Sequence, residues 1–166
     1  MKDTNKNERK SAYMQITRKC NNECVFCSNP SFDKEINMEE VKKRLLFYKE
    51  KGVNEIVFSG GETTESSILV DALTLSKKLG FEPKIITNGV NMSDINYVKK
   101  LKKSGLRHLH ISIHSHIEKD SDFLTNRKGH FKKTMKGISN CIKEEIAVDI
   151  NTTLNSVNIN YLSKFI

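Results

Sequence analysis

Residues 12–33 read AYMQITRKCNNECVFCSNPSFD, a run rich in strand-favouring residues that opens straight into a loop bearing Cys20, Cys24 and Cys27. Ala12 to Lys19 is predicted to form a first strand, and the cysteine loop continues to about Asp33. Three residues, then two, separate the cysteines. Thiolates this close on one loop can converge on one metal centre. A cubane cluster has four irons, so three protein ligands would leave one iron open to another molecule. The remaining cysteine, Cys141, falls on an apolar helical stripe with Phe131, Met135, Ile138 and Ile142. A buried structural thiol is expected there.

Working outward, short strand-like runs alternate with longer amphipathic ones. Asn37 can cap a helix, with Glu40 three residues on, and Val41, Leu45 and Tyr48 keep helical spacing until Gly52. Residues 55–59 (EIVFS) read as a second strand running into Gly60-Gly61. A helix over about 66–79 stops at Gly80, and residues 84–87 (KIIT) form a third strand that ends at Asn88-Gly89. Ser93 can cap the next helix, with Tyr97, Val98 and Leu101 facing inward. Residues 107–113 make a fourth strand, 131–142 a helix and 147–154 a fifth strand. Strands separated by helices imply βαβ units and a parallel sheet. In such sheets ligands gather beyond the carboxyl ends of the strands. Gly60, Gly61 and Glu62, then Asn88 and Gly89, then His114 and Ser115 all fall at that end. Alternation on the fourth strand places Leu109, Ile111 and Ile113 on one face and His108, His110, Ser112 and His114 on the other. On the fifth, Val148 and Ile150 oppose Asp149, Asn151 and Thr153. One apolar face under helices and one polar face suit a barrel with a wet, ligand-holding interior.

A length of 166 residues fits one domain with a real core. Hydrophobic residues at 37% and charged residues at 29% exclude the disordered and membrane classes. No apolar run approaches the roughly 18–20 residues that span a bilayer. The opening MKDTNKNERKSAY is polar and lacks a signal-peptide core. A cytoplasmic location is therefore the expectation, and in that reducing compartment cysteines serve metals or catalysis rather than disulfides. Residues 1–11 read as a polar tail and 12–166 as one core domain. Asn160 to Ile166 looks like a helix just beginning, so the domain is expected to be incomplete at its carboxyl end. The net charge of +8 rests almost entirely on lysine. Solvated helix faces account for it, and nucleic acid remains a secondary expectation as partner.

The CNNECVFC loop after YMQIT resembles the signature of the radical S-adenosylmethionine (radical SAM) superfamily, including an aromatic residue, Phe26, before the last cysteine. Gly60-Gly61-Glu62 resembles that family's GGE motif. Thr87-Asn88-Gly89, Ser112-Ile113-His114 and residues 123–138 (FLTNRKGHFKKTMKGI) resemble further family segments in the expected order. The resemblance runs from about residue 12 to the end. It implies an α/β partial (βα) barrel of the radical SAM type, with five of six parallel strands present. It also implies two cofactors, a 4Fe–4S cluster on Cys20, Cys24 and Cys27 and S-adenosylmethionine bound at its open iron. In the family, one electron from the reduced cluster cleaves the sulfonium and a 5′-deoxyadenosyl radical removes hydrogen from a substrate. By resemblance, Gly60, Gly61 and Glu62 receive the methionine amino group, and Phe26 lies near the adenine. Ser112, Asn88 and Asn151 reach the ribose or carboxylate. Each has a plainer reading: a tight turn at Gly60-Gly61, a left-handed turn at Asn88, and satisfied interior polar groups at Ser112 and Asn151. Thr63 and Thr64 stand where the family often has proline, so that loop is expected to differ in shape.

The resemblance implies an external electron donor such as flavodoxin or ferredoxin. The substrate side leans toward a peptide or protein, as in maturases, with a nucleotide, RNA or small metabolite as the alternative. Two other classes compete. One is a zinc site built from the cysteines and one of His108, His110, His114, His116 or His130, which would leave GGE and TNG unexplained. The other is a non-catalytic or degenerate iron–sulfur module. The histidines are expected to line a polar interior or contact substrate and receive no metal role.

Overall fold

The computed structural model describes residues 10–161 and Lys164. Five parallel strands form one sheet in the order β1-β2-β3-β4-β5. They are β1 (Ser11–Thr17), β2 (Glu55–Gly60), β3 (Glu82–Thr87), β4 (His108–Ser112) and β5 (Ala147–Asn151). Helices α1 (Met38–Glu50), α2 (Leu69–Lys78) and α3 (Ile95–Lys103) fill the first three crossovers, and α4 (Glu118–Thr125) with α5 (His130–Lys143) the fourth. Neighbouring strands are consecutive in sequence, as expected for a partial (βα) barrel.

Period-two alternation sorts the strand residues. Met14, Ile16, Ile56, Phe58, Ile85, Leu109 and Ile111 turn to one face, where they pack against Val41 and Leu45 of α1, Leu69, Ala72 and Leu73 of α2, Val98 and Leu101 of α3 and Cys141 of α5. Burying each of the larger side chains contributes roughly 1.5–3 kcal/mol. Cys141 is fully buried in this core, as its apolar stripe indicated. The opposite face is polar. Lys84 Nζ lies 2.5 Å from Glu55 Oε2, and the Ser11 hydroxyl donates to Glu55 Oε1 at 2.6 Å. His108, His110 and Asp149 continue the row across β4 and β5. On the edge strand Val148 packs against the core but Ile150 is 46% exposed, so β5 has only part of the covered apolar face its alternation suggested.

Several boundaries shift for local reasons. Asn37 caps α1 as expected, accepting from the Glu40 N–H at 2.9 Å. Asp94 rather than Ser93 caps α3, its side chain accepting from the Asn96 N–H. Helix α2 starts at Leu69 because both Ser66 and Ser67 hydroxyls donate to Glu35 instead of joining the helix. Helix α4 has no counterpart in the sequence reading. It is short and has no side-chain cap, and Asn126 ends it in a left-handed conformation (φ 48°). Residues 159–161 form a short 3-10 turn; the remainder of the helix expected over 160–166 lies outside the described residues, Lys164 excepted, as do residues 1–9 of the expected tail.

Gly137 lets α5 close on the loop after β3. A Cβ there would strike the Gly89 carbonyl oxygen and lie 3.0 Å from Met92 Cβ. Gly137→Ala is expected to destabilise the fold by about 2 kcal/mol through overpacking, read as a lower urea midpoint with an unchanged slope.

Candidate active site

The strands' carboxyl ends surround a cavity of about 550 Å³. Cys20, Cys24, Phe26 and Cys27 line it from the loop after β1, Gly60 from the end of β2, Gly61 and Glu62 from the loop that follows, Asn88 from just beyond β3, and Ser112 from β4. These nine are the sequence candidates that the fold brings together. Asn151 is not in the lining; it is exposed, opposite Ser112 in the register, and its carbonyl accepts from the Ile113 N–H.

The cysteine loop is held from two sides. A register shift between Gln15 and Thr17 in β1 marks the strand's exit. The Gly61 N–H donates to Thr17 O at 3.0 Å and the Glu62 N–H to Lys19 O at 2.7 Å. A Cβ on Gly61 would sit 2.6 Å from both the Arg18 and Lys19 carbonyls, and one on Gly60 2.8 Å from the Thr17 carbonyl. The paired glycines therefore serve a close approach between two segments of this chain, where the sequence suggested approach to a ligand. On the other side, Glu23 and Val25 N–H groups donate to Thr125 and Leu124 carbonyls at 3.2 and 3.0 Å. Those carbonyls belong to the last turn of α4, where acceptors lack intrahelical partners. The Arg127 guanidinium donates to the Asn21 carbonyl.

Glu62 is 2% exposed, and its carboxylate is the centre of a donor cluster. Oε1 accepts from the Thr64 N–H at 2.8 Å and from the Thr64 and Thr87 hydroxyls at 2.6 Å each. Oε2 accepts from the Asn88 N–H at 2.6 Å. Burial pushes this carboxyl up from its ordinary range, against the pull of those hydrogen bonds. Thr63, Thr64 and Glu65 form a 3-10 turn. The Thr64 hydroxyl holds Glu62, and the Thr63 hydroxyl donates to Ile86 O at 2.6 Å. Asn88 is engaged at both ends of its amide: the nitrogen donates to Asn21 Oδ1 at 2.6 Å, and Oδ1 accepts from the Val90 N–H. The left-handed residue of the turn is Gly89 (φ 79°), with Asn88 outside the positive-φ set.

The pairing of His130 with Asn22 escaped the sequence reading because the two are remote in the chain. His130 is 1% exposed. Its Nε2 lies 3.3 Å from the Thr134 hydroxyl, which itself donates to Asn88 O at 2.9 Å. With that hydroxyl proton committed, Nε2 carries the imidazole proton and Nδ1 accepts from Asn22 Nδ2 at 3.2 Å. Asn22 Oδ1 is left buried with no hydrogen-bond partner, on a residue of the cavity lining. Phe26 packs edge-on against His114, with ring centroids 4.7 Å apart.

The donor set fits an iron–sulfur cluster and an amino-acid-like ligand. Cys20, Cys24 and Cys27 are free thiols, and soft sulfur ligands suit iron–sulfur centres. Burial and its thiol neighbours push Cys24 up to about 11, and burial raises Cys20 as well, so metal binding must displace their protons. On one tetrahedral zinc, thiolates would lie about 3.8 Å apart. The cysteines, with or without a histidine, do not gather within 4.8 Å among the described residues, so a single zinc ion is the poorer fit. Glu62 Oε2 and the orphaned Asn22 Oδ1 are acceptors with capacity for a bound ammonium or amide donor.

The sequence model of the Radical SAM superfamily matches residues 14–165. The chain belongs to this family. Radical SAM proteins use a 4Fe–4S cluster and S-adenosylmethionine. It is similar to the Fe-coproporphyrin III synthase of Methanosarcina barkeri, 32% identical over 87% of this chain and 37% of the relative. It is also similar to the PqqA peptide cyclase of Bradyrhizobium diazoefficiens, 27% identical over 92% of this chain and 41% of the relative. The chain thus spans well under half the length of these two relatives. The solved structure of anSMEcpe with bound S-adenosylmethionine and Cp18Cys peptide superposes with a TM-score of 0.76, covering 95% of this chain and 46% of that one at 15% identity. This radical SAM fold is the partial barrel that the motif order implied. No helix among the described residues is long and apolar enough to cross a membrane.

Two outcomes test this site. Gly61→Ala is expected to destabilise the protein by about 2 kcal/mol and to lower the iron bound per chain after anaerobic reconstitution, because the cysteine loop must retreat. Burial lowers both His114 and His130 from 6.5 to about 4. The unfolded chain therefore takes up protons first. Stability is full above about pH 6.5 and falls as pH drops toward 4, seen as a falling urea midpoint, with a shallower fall in His130→Gln.

Proposed function

We propose that this radical SAM protein holds its cluster on Cys20, Cys24 and Cys27, cleaves S-adenosylmethionine reductively and abstracts hydrogen from a peptide or protein substrate. The observation that carries the reading is the meeting of three cysteines, Glu62, Asn88 and Ser112 around one cavity at the strands' carboxyl ends. When bound, the cluster supplies the electron that breaks the carbon–sulfur bond.

The chain's own residues orient the pair. Glu62 offers Oε2 to the methionine ammonium, while the Thr64 and Thr87 hydroxyls hold Oε1 still. Asn88 ties that carboxylate to the cysteine loop through Asn21, so cluster and ammonium are positioned by one hydrogen-bonded unit. Phe26 and His114 wall the cavity beside the adenine, with Ser112 below for the ribose or carboxylate. Asn151 reaches the cofactor only if its exposed side chain turns toward the cavity. An external flavodoxin or ferredoxin brings the electron, and the cytoplasm is the compartment where such donors and reduced thiols coexist.

The peptide reading draws on the similarity to a peptide cyclase, and the maturase-like role follows from it. The similarity to a coproporphyrin-processing enzyme favours a second reading, a small-metabolite substrate.

Anaerobic reconstitution with iron and sulfide, followed by electron paramagnetic resonance after dithionite, tests the cofactor assignment. A 4Fe–4S signal that shifts on adding S-adenosylmethionine is expected, and Cys24→Ala should abolish it. Glu62→Gln should keep the cluster signal and weaken its response to S-adenosylmethionine at least about tenfold, in proportion to a lost charge-assisted hydrogen bond. A signal indifferent to S-adenosylmethionine would return the chain to the non-catalytic class. Deuterium carried into 5′-deoxyadenosine from a deuterated peptide pool would support the peptide reading; deuterium from a labelled porphyrin would replace it.

A further inference from the structure

The polar face of the sheet carries a second set of ligand-type side chains, away from the cofactor cavity. His108 and His110 are two apart on β4 and so point the same way, and Asp149 on β5 stands opposite His110 in the register. His108 Nε2 lies 2.7 Å from Asp149 Oδ2, and His110 Nδ1 approaches the same oxygen at 3.4 Å. One ligand atom from each residue lies within 4.8 Å of the others, and no second such group of His, Cys, Asp or Glu occurs among the described residues. None of the three lines the cavity that holds the cysteines.

A simple ion pair explains part of this arrangement. It accounts for His108 and Asp149, whose partly exposed pairing stabilises little. It does not account for His110, whose 3.4 Å approach is too long for a good hydrogen bond. Metal coordination accounts for both. Bonds of 2.0–2.1 Å place neighbouring ligand atoms about 2.9 Å apart around an octahedral ion and about 3.4 Å apart around a tetrahedral one. The two spacings here fall near that range without any change of backbone. The strands set the geometry, since residues i and i+2 on one strand with a third residue directly across the ladder form a triangle on one side. The nearest cation on this face, Lys84, is neutralised by Glu55 at 2.5 Å. Asp149 therefore presents its charge to an incoming cation with little opposition.

We propose that His108, His110 and Asp149 bind a divalent transition metal, zinc or ferrous iron in type. Two imidazoles and one carboxylate gathered on one side of the ion leave positions open for water or a small anionic ligand. The site is independent of the cluster and of its chemistry, and it uses imidazole nitrogen and carboxylate oxygen donors where the cluster uses sulfur.

The test titrates cobalt(II) anaerobically into the full chain carrying Cys20→Ser, Cys24→Ser and Cys27→Ser, so that loop thiols cannot compete. One equivalent is expected to bind, with ligand-field absorption but no thiolate-to-cobalt charge transfer, and zinc should displace it. Asp149→Asn and His110→Ala, each made in that background, should weaken binding at least about tenfold while leaving the far-ultraviolet circular dichroism unchanged. Asp149 is the safer variant because its side chain is 54% exposed on the edge strand. Binding that vanishes with the loop cysteines, or that survives Asp149→Asn undiminished, overturns the proposal.

Discussion

The structure depends on the contact between the exit of β1 and the loop after β2. The Gly61 and Glu62 N–H groups donate to the Thr17 and Lys19 carbonyls, across a gap that admits no Cβ at residue 61. That contact puts the cysteine loop and the Glu62 carboxylate at one place. Any side chain at residue 61 must push the two segments apart, because the obstructing atoms are backbone and cannot rotate away. The glycines are thus needed even before a ligand arrives, and the ligand inherits a space already shaped by the chain.

Around this contact a hydrogen-bonded frame spreads to remote parts of the molecule. Glu62 draws donors from Thr64, Thr87 and Asn88, and Asn88 reaches Asn21 within the cysteine loop. Thr134 holds the Asn88 carbonyl and sets the tautomer of His130, which in turn fixes the amide of Asn22. Helix α4 closes the loop from outside by offering its terminal carbonyls to Glu23 and Val25. The bonds on Glu62 Oε1 and those joining His130 to Asn22 and Thr134 satisfy polar groups that burial would otherwise leave unpaired. The loop that carries three thiols is therefore positioned by two strands, two helices and a side-chain relay, which together fix it relative to the Glu62 carboxylate.

The polar face of the sheet is organised in layers. At the amino ends of the strands Ser11, Glu55 and Lys84 make a nearly closed charge pair. Toward β5 the same row becomes His108, His110 and Asp149, less enclosed and less balanced. Above them, at the carboxyl ends, lie Ser59, Ile86 and Ser112 of the cavity. The interior thus passes from a neutralised ionic floor to a cavity lined by mixed polar and apolar groups.

The sequence by itself determined the order of the strands and of every helix but α4, the apolar faces of β1 to β4, the burial of Cys141 and the placing of the three cysteines, Gly60, Gly61 and Glu62 at the strands' carboxyl ends. These follow from periodicity and from spacing within a few residues, which a linear reading can see. Tertiary structure decided the rest. Helix α4 was illegible because a short segment without a side-chain cap carries little local signal, and its order comes from packing and from the loop it holds. His130 and Asn22 are 108 residues apart, and only the fold made them partners. Asn151 stayed outside the cavity because the edge strand leaves it exposed, a matter of sheet position that alternation cannot register. The purpose of the paired glycines also needed the fold, since the atoms that exclude a side chain at residue 61 belong to residues 18 and 19.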